Sequence, residues 1–291
     1  VAVGKTLAYG LRGLGRVVRA QACEVLFRPV VVLVTLMVLF GLAPGSRQPE
    51  VAMTVQLMAA GVVVVLSFWW LKQSLPEART VLMADRRMGG WLKRAAPFAL
   101  IGGAGVLNSQ TDIIMLGWFR PDAEVGAYRI AQQGGLITLF VLQAAHSVLG
   151  PAFGRMHAQA ETEALRANFR WASRAVFAAT LPVAGVLIVF ATPIVEIVFG
   201  PAYALAAGPL AILAAGYLAN VAFGPVGLLL QMAGRERVTA QVLWGTVALN
   251  ALLNAALIPL YGVHGGALAT AMALIVSHAL LRAIAYRDLA V

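Results

Sequence analysis

The chain reads as an all-α polytopic membrane protein with about eight transmembrane helices. Two observations predict this: eight long apolar segments, and the sides of those segments on which the basic residues fall. The segments run over 26–43, 51–71, 95–119, 123–150, 172–199, 203–230, 238–259 and 264–284. Most reach the ~20 residues that cross a ~30 Å hydrocarbon core at 1.5 Å per residue. Of the 22 Lys and Arg residues, 19 fall on one side under strict alternation. Lys5, Arg12, Arg16, Arg19 and Arg28 precede or open the first segment, and Lys72, Arg79, Arg86, Arg87, Lys93 and Arg94 lie between the second and third. Arg155, Arg166, Arg170 and Arg174, then Arg235 and Arg237, then Arg282 and Arg287 continue the series, while Arg47, Arg120 and Arg129 fall on the other side. Basic residues are retained in the cytoplasm, so both termini of the chain are expected there, with the short connections outside.

Composition agrees. Hydrophobic residues make up 60% of the 291 and charged residues 12%, with a mean hydropathy of +0.83. The loops are too short for a separate globular domain, so function has to be built inside the helix bundle. The net charge of +10 is topological and suits an anionic cytoplasmic leaflet; it does not call for nucleic acid. Cys23 is the single cysteine, which excludes a disulfide framework and a thiolate metal site. Residues 1–24 set Leu7, Leu11, Leu14, Val17 and Val18 against Arg12, Arg16 and Arg19, the pattern of an interfacial helix, with no cleavable signal peptide visible.

Element by element, aromatic residues mark the membrane edges: Trp69 and Trp70 close the second crossing, Trp91 and Trp171 open the third and fifth, and Trp118 ends the third. Helix breakers mark the turns at Pro44 and Pro49, Pro121, Gly200-Pro201, and Pro259 with Gly262. The longest polar stretch, 72–94, is the natural boundary. It separates 1–86, an interfacial helix plus two crossings, from 87–291, six crossings in three hairpins. Transporters with two related halves of about six helices are common. Two crossings before a complete half, and a start at Val1 rather than Met, lead us to expect about four further helices upstream.

Polar side chains in hydrocarbon cost several kcal/mol unless they find partners or water, so those within the crossings are the candidate functional residues. Asn108 and Asp112, four apart, share a face of the third crossing. Arg129, Gln132, Gln133 and Gln143 are expected along one side of the fourth. Asp112 and Arg129 lie at similar depth on either side of the turn near Arg120, which predicts an ion pair across the hairpin; the alternative is that each reaches water at the outer interface. Asn220 and Gln231, eleven residues apart and so expected on one face, flank a Gly224-Pro225 break in the sixth crossing, a kink that either lines a cavity and hinges or is purely structural. Asn250 and Asn254 share a face of the seventh and read first as interhelical amide bonds that hold the bundle. The four histidines are scattered, so no metal site is expected. Gly102, Gly103 and Gly105 lie inside an apolar helix and serve close packing, not a phosphate loop. No nucleophile–base set, catalytic carboxylate pair, nucleotide motif or cofactor site emerges, and the chain is not expected to be an enzyme.

Several stretches resemble the polysaccharide-export flippases of the multidrug/oligosaccharidyl-lipid/polysaccharide superfamily. The run Asn108-Ser109-Gln110-Thr111-Asp112 through Gly117, followed by Glu124, Gly126, Tyr128 and Arg129, resembles the start of that family's second half. Phe199-Gly200-Pro201-Ala202-Tyr203, then Asn220 with Gly224-Pro225 and Gln231 to Gly234, then Asn250 and Asn254 with Ile258 to Gly262 and Gly265 to Thr270, match in order. Leu11 to Arg16 with Arg28-Pro29 is similar to the segment leading into the family's fifth helix. The resemblance spans nearly the whole chain. It implies the C-terminal part of a two-lobed transporter of 12–14 helices around a central cavity.

The function so implied is moving an undecaprenyl-pyrophosphate-linked oligosaccharide across the bacterial cytoplasmic membrane by alternating access. The expected partners are the membrane lipid, the lipid-linked substrate and a glycan polymerase. Arg129 would contact the pyrophosphate or an acidic sugar. Asn108, Gln132, Gln133, Gln143 and Asn220 would line the sugar path, Asp112 would hold Arg129 or couple to a proton or cation, and Gly224 and Pro225 would hinge. Two other readings are a cation-coupled exporter of drugs or metabolites from the same superfamily, and a non-transporting scaffold or fragment. Drug exporters favour apolar, aromatic pockets, whereas these candidates are amide-rich.

Overall fold

A computed structural model describes Leu7 and residues 28–42, 49–78 and 88–289 of the chain. The interfacial helix expected over 1–24 lies, Leu7 apart, outside them. The described residues form helices joined by short turns: α1 (Arg28–Leu42), α2 (Pro49–Ala78), α3 (Met88–Phe119), α4 (Asp122–Gly135), α5 (Phe140–Ala158), α6 (Thr162–Val189), α7 (Ala191–Phe199), α8 (Ala207–Ala222), α9 (Val226–Met232), α10 (Glu236–Tyr261) and α11 (Val263–Leu289). Short 3-10 segments, Leu136–Leu139 and Pro201–Ala206, join α4 to α5 and lead into α8. The all-helical answer follows from the solvent, because in hydrocarbon a helix satisfies its own backbone groups.

Contacts divide the chain into two compact units, Val1–Met88 and Gly89–Val291. The first contains the hairpin of α1 and α2. Both helices expose apolar side chains such as Leu33, Met37, Leu57 and Met58.

Six helical stretches of the described chain are long and apolar enough to cross a membrane: Met53–Gln73, Asp122–Ala158, Thr162–Val189, Pro201–Ala222, Glu236–Tyr261 and Val263–Leu289. Two of the eight expected crossings fall short of that standard for different reasons. The apolar part of α1, Pro29–Leu39, is short. By contrast α3 is ample in length, at 32 residues, but the polar run Asn108 to Asp112 dilutes its hydropathy. That dilution is where the functional interest begins.

Within Gly89–Val291 the central helix is α8, which packs against α4, α6 and α11, while α10 and α11 form a hairpin. Close approach explains one of the α8 glycines: a Cβ on Gly216 would stand 2.6 Å from the Cβ of Ala271 on α11. Apolar clusters fill the unit, the smallest of them Leu142, Val176 and Val221 and two of them larger. One gathers Leu116, Tyr128, Leu210, Leu213, Tyr217 and Ile258. The other gathers Phe153, Phe169, Leu229, Leu230 and Leu281, with the Arg282 guanidinium 4.7 Å over the Phe169 ring. Phe140, Val148, Ile197 and Leu252 are 70–83% exposed, the outward apolar surface expected of a chain solvated by lipid.

Three of the expected crossings are interrupted. The fourth divides at the 3-10 turn Leu136–Leu139, the fifth at Phe190 between α6 and α7, and the sixth at Phe223–Pro225 between α8 and α9. At the last, Gly224 takes φ +75, and a Cβ there would collide with Ser173 of α6. The break also overturns the expectation that Asn220 and Gln231 share a face, because helical periodicity does not carry across it. Asn220 is buried on α8, while Gln231 on α9 turns its amide back to the Gly227 carbonyl at 3.0 Å.

Candidate functional site

Asp112 of α3 is fully buried, and four helices converge on it. Its Oδ2 accepts hydrogen bonds from the Tyr128 hydroxyl on α4 at 2.8 Å and from the Thr270 hydroxyl on α11 at 2.5 Å. Its Oδ1 accepts from the amides of Asn250 and Asn254 on α10, at 2.9 and 2.8 Å. Periodicity explains the clasp. Asn250 and Asn254 are four residues apart and stand on one face of α10, so one turn of that helix presents two amides to one oxygen. Each amide also uses its second N–H: Asn254 donates to Asn250 Oδ1 at 2.9 Å and Asn250 to Asn108 Oδ1 at 3.3 Å. Asn108 sits one turn before Asp112 on α3, so the network loops back to its own helix.

The cluster solves an energetic problem. A carboxylate in a dry interior carries a penalty of several kcal/mol unless its lone pairs are filled. Two donors per oxygen fill them. The two hydroxyls add a property the amides lack, since a hydroxyl can donate or accept by rotation. The pair Tyr128 and Thr270 can therefore serve either charge state of the carboxyl group. One polar atom is left over: Asn254 Oδ1 is buried with no partner among the described residues.

Arg129 is not part of this cluster, which corrects the expected Asp112–Arg129 ion pair. Tyr128 and Arg129 are neighbours in the chain and so point about 100° apart around α4. The residue that turns toward α3 is Tyr128, and Arg129 is exposed. The same division separates the two glutamines. Gln132, four after Tyr128, is buried and donates to the Ser109 carbonyl at 2.9 Å; Gln133, four after Arg129, is exposed. Gln143 on α5 is also exposed. Asn220 is buried on α8 with its Oδ1 unpartnered among the described residues. The structure thus brings Asn108, Asp112 and Gln132 together and leaves Arg129, Gln133 and Gln143 exposed.

Tyr128, Thr270, Asn250 and Asn254 complete the site and were not read as site residues in the sequence. The two asparagines carried a signal, an amide pair at helical spacing. Thr270 and Tyr128 stand only within the family-like stretches, and neither polarity nor spacing marks them out from ordinary core residues. No group of three or more His, Cys, Asp or Glu side chains able to hold a metal is present among the described residues.

The site is thus a polar centre buried in an all-helical lobe whose outer faces are apolar. Residues 17–207 match the family described as polysaccharide biosynthesis protein, and the chain belongs to that family. It is similar to a probable low-salt glycan biosynthesis flippase, Agl15, of Haloferax volcanii, at 26% identity over 76% of this chain and 46% of the relative. It is also similar to an uncharacterized membrane protein of Methanocaldococcus jannaschii, at 25% identity over 74% of this chain and 43% of that one. The chain therefore spans somewhat less than half the length of these curated relatives. Among solved structures, a mutant of the Vibrio cholerae MATE transporter VcmN shares the fold with a TM-score of 0.69 at 18% identity, covering 97% of this chain and 66% of the other. The bent form of VcmN gives 0.64 at 19% identity, covering 99% and 66%.

Proposed function

We propose that this chain serves to move an undecaprenyl-pyrophosphate-linked oligosaccharide from the inner to the outer leaflet of the bacterial cytoplasmic membrane, by alternating access of two lobes. The observation that carries the reading is the family match over residues 17–207, alongside a relative named as a glycan biosynthesis flippase. The physical task is to pass a polar sugar and a pyrophosphate through hydrocarbon while the lipid tail stays in the bilayer. A hydrophilic, partly cationic surface lowers that barrier. Arg129, Gln133 and Gln143 are exposed, and Arg129 has no acidic partner among the described residues, which supports a pyrophosphate or acidic-sugar contact for it. Asn108, Gln132 and Asn220 are then the amides nearest the sugar path. Asp112 couples transport to a proton or cation, a role supported by hydroxyl partners able to reverse their hydrogen bonds. Gly224 and Pro225 act as the hinge between α8 and α9. Both termini of the chain face the cytoplasm, and a glycan polymerase acting on the delivered product is the expected partner.

The likeness in fold to MATE transporters favours one second reading, a cation-coupled exporter of drugs or metabolites. One experiment separates the two. In a strain deleted for the full reading frame, lipid-linked oligosaccharide is assayed in each leaflet with a membrane-impermeant probe. Trapping on the cytoplasmic face, reversed by the intact gene but not by an Arg129→Ala copy, is the expected result. Normal outer-leaflet delivery with an altered efflux profile would move the assignment to the exporter.

A further inference from the structure

Two cavities meet at Gln241 near the start of α10. The first, about 510 Å³, is walled by Pro97 and Leu100 of α3 and by Trp244, with Arg237 and Gln241 as its polar groups. The second, about 370 Å³, is a mainly apolar trough between α10 and α11, lined by Gly245, Leu249, Val276 and Leu280. From Arg237 to Leu249 is 12 residues of helix, so the pair of cavities extends about 18 Å from the membrane edge toward its middle. The polar end and the apolar length have the shape of an amphiphile.

Charge sets the kind of amphiphile. Two arginines stand at this turn. Arg235 is neutralised by Asp288 at 3.4 Å, whereas Arg237 has no acidic partner among the described residues. An unneutralised guanidinium at the membrane edge, with an amide one turn on and an indole beside it, suits a phosphate ester at headgroup depth.

Position separates this ligand from the transported one. Gln241 is nine residues from Asn250, which places it about 180° around α10 from the amides that clasp Asp112. Trp244 and Leu252 on the same outward side are 39% and 70% exposed. We propose that the α3–α10–α11 groove holds a resident anionic phospholipid of the cytoplasmic leaflet, its phosphate on Arg237 and Gln241 and one acyl chain between Gly245 and Leu280. The leaflet rests on the orientation proposed above; the site itself does not. The headgroup ligand Gln241 then stands on the side of α10 away from Asn250, while the acyl trough reaches Thr246, one turn before the Asp112 clasp.

Gly245 offers a clean test, because a Cβ built on it meets nothing within 4 Å; a larger side chain fills the trough without breaking the fold. The full chain is purified in detergent with equal phosphatidylglycerol and phosphatidylcholine, and retained lipid is read by native mass spectrometry. The unaltered protein is expected to keep phosphatidylglycerol in preference. Arg237→Gln should cut that retention about fivefold, the contribution of one arginine near an anionic headgroup, and leave phosphatidylcholine unchanged. Gly245→Phe should displace both lipids, and Leu252→Phe, on the outward face beyond the trough, neither. Equal phosphatidylglycerol retention by the unaltered protein and Arg237→Gln overturns the headgroup site, and full retention by Gly245→Phe overturns the chain site. Preferential capture of added undecaprenyl phosphate would overturn the phospholipid assignment. Lipid retention requires no transport, so failure here is distinguishable from failure of the flippase reading.

Discussion

Around Asp112, helices α3, α4, α10 and α11 meet through directional hydrogen bonds to one carboxyl group. Around Phe169, helices α5, α6, α9 and α11 meet through apolar packing, with one guanidinium lying over the ring. The helices on both sides are apolar, and α11 belongs to both clusters. The contrast matters because lipid tails are as apolar as leucine, so the hydrophobic effect does not drive helices together within the bilayer. Packing holds the Phe169 region by shape. The Asp112 region is held by directional hydrogen bonds as well, which makes it the part of the lobe that losing one acceptor can loosen.

Substitutions should separate the two regions. The largest expected effect is Asp112→Leu, which strips four buried donors of their acceptor and should lower stability by about 3 kcal/mol, read as denaturation in detergent. Asp112→Asn is the control that sharpens it. The new amide can keep its oxygen on Asn250 and Asn254 while its N–H groups donate to the two hydroxyls, so stability should change by less than about 1 kcal/mol. A large loss in the asparagine variant would show that the negative charge itself holds the helices.

In the packed region, Leu230→Ala should cost about 2 kcal/mol through lost contacts and a cavity, without changing how the protein responds to pH. A pH-dependent defect in Leu230→Ala would erase the distinction between the regions. Next comes Asn254→Ala, which removes two hydrogen bonds from the clasp and should cost about 1 kcal/mol in the same unfolding measurement. The smallest effect on stability belongs to Arg129→Ala, within about 0.5 kcal/mol for an exposed side chain outside any pair. Under the proposed function its outer-leaflet delivery should nevertheless fall, so stability and transport would part company at this residue.

Much of this was legible in the chain. Apolar length and basic-residue placement mark the helices because both reflect a one-dimensional solvent, the bilayer, acting on each segment separately. Asn108 and Asp112 stood out because polar groups in hydrocarbon require an explanation wherever they occur. The partner of Asp112 was not legible. Three of its donors lie 138–158 residues away along the chain, and the nearest, Tyr128, looks like any apolar-facing aromatic until the rotation of α4 is known. Arg129 and Tyr128 are adjacent residues about 100° apart around the helix, and depth along the helix does not tell which of them faces Asp112.

The breaks at Leu136–Leu139 and Phe190 were less legible: Gln132 to Gly135 before the first and Pro193 after the second interrupt an apolar run without fixing where the helix stops. Gly224-Pro225 did announce itself. The sequence alone determined that this is a multi-pass helical membrane protein of the polysaccharide biosynthesis family with a polar centre beginning on the third crossing, since hydropathy, charge placement and local motif survive without a third dimension. Only the tertiary structure decided which helices supply the donors, that the arginine stays outside, and that Asn250 and Asn254 of α10 turn to Asp112, because each depends on helix rotation or on contacts between segments more than a hundred residues apart.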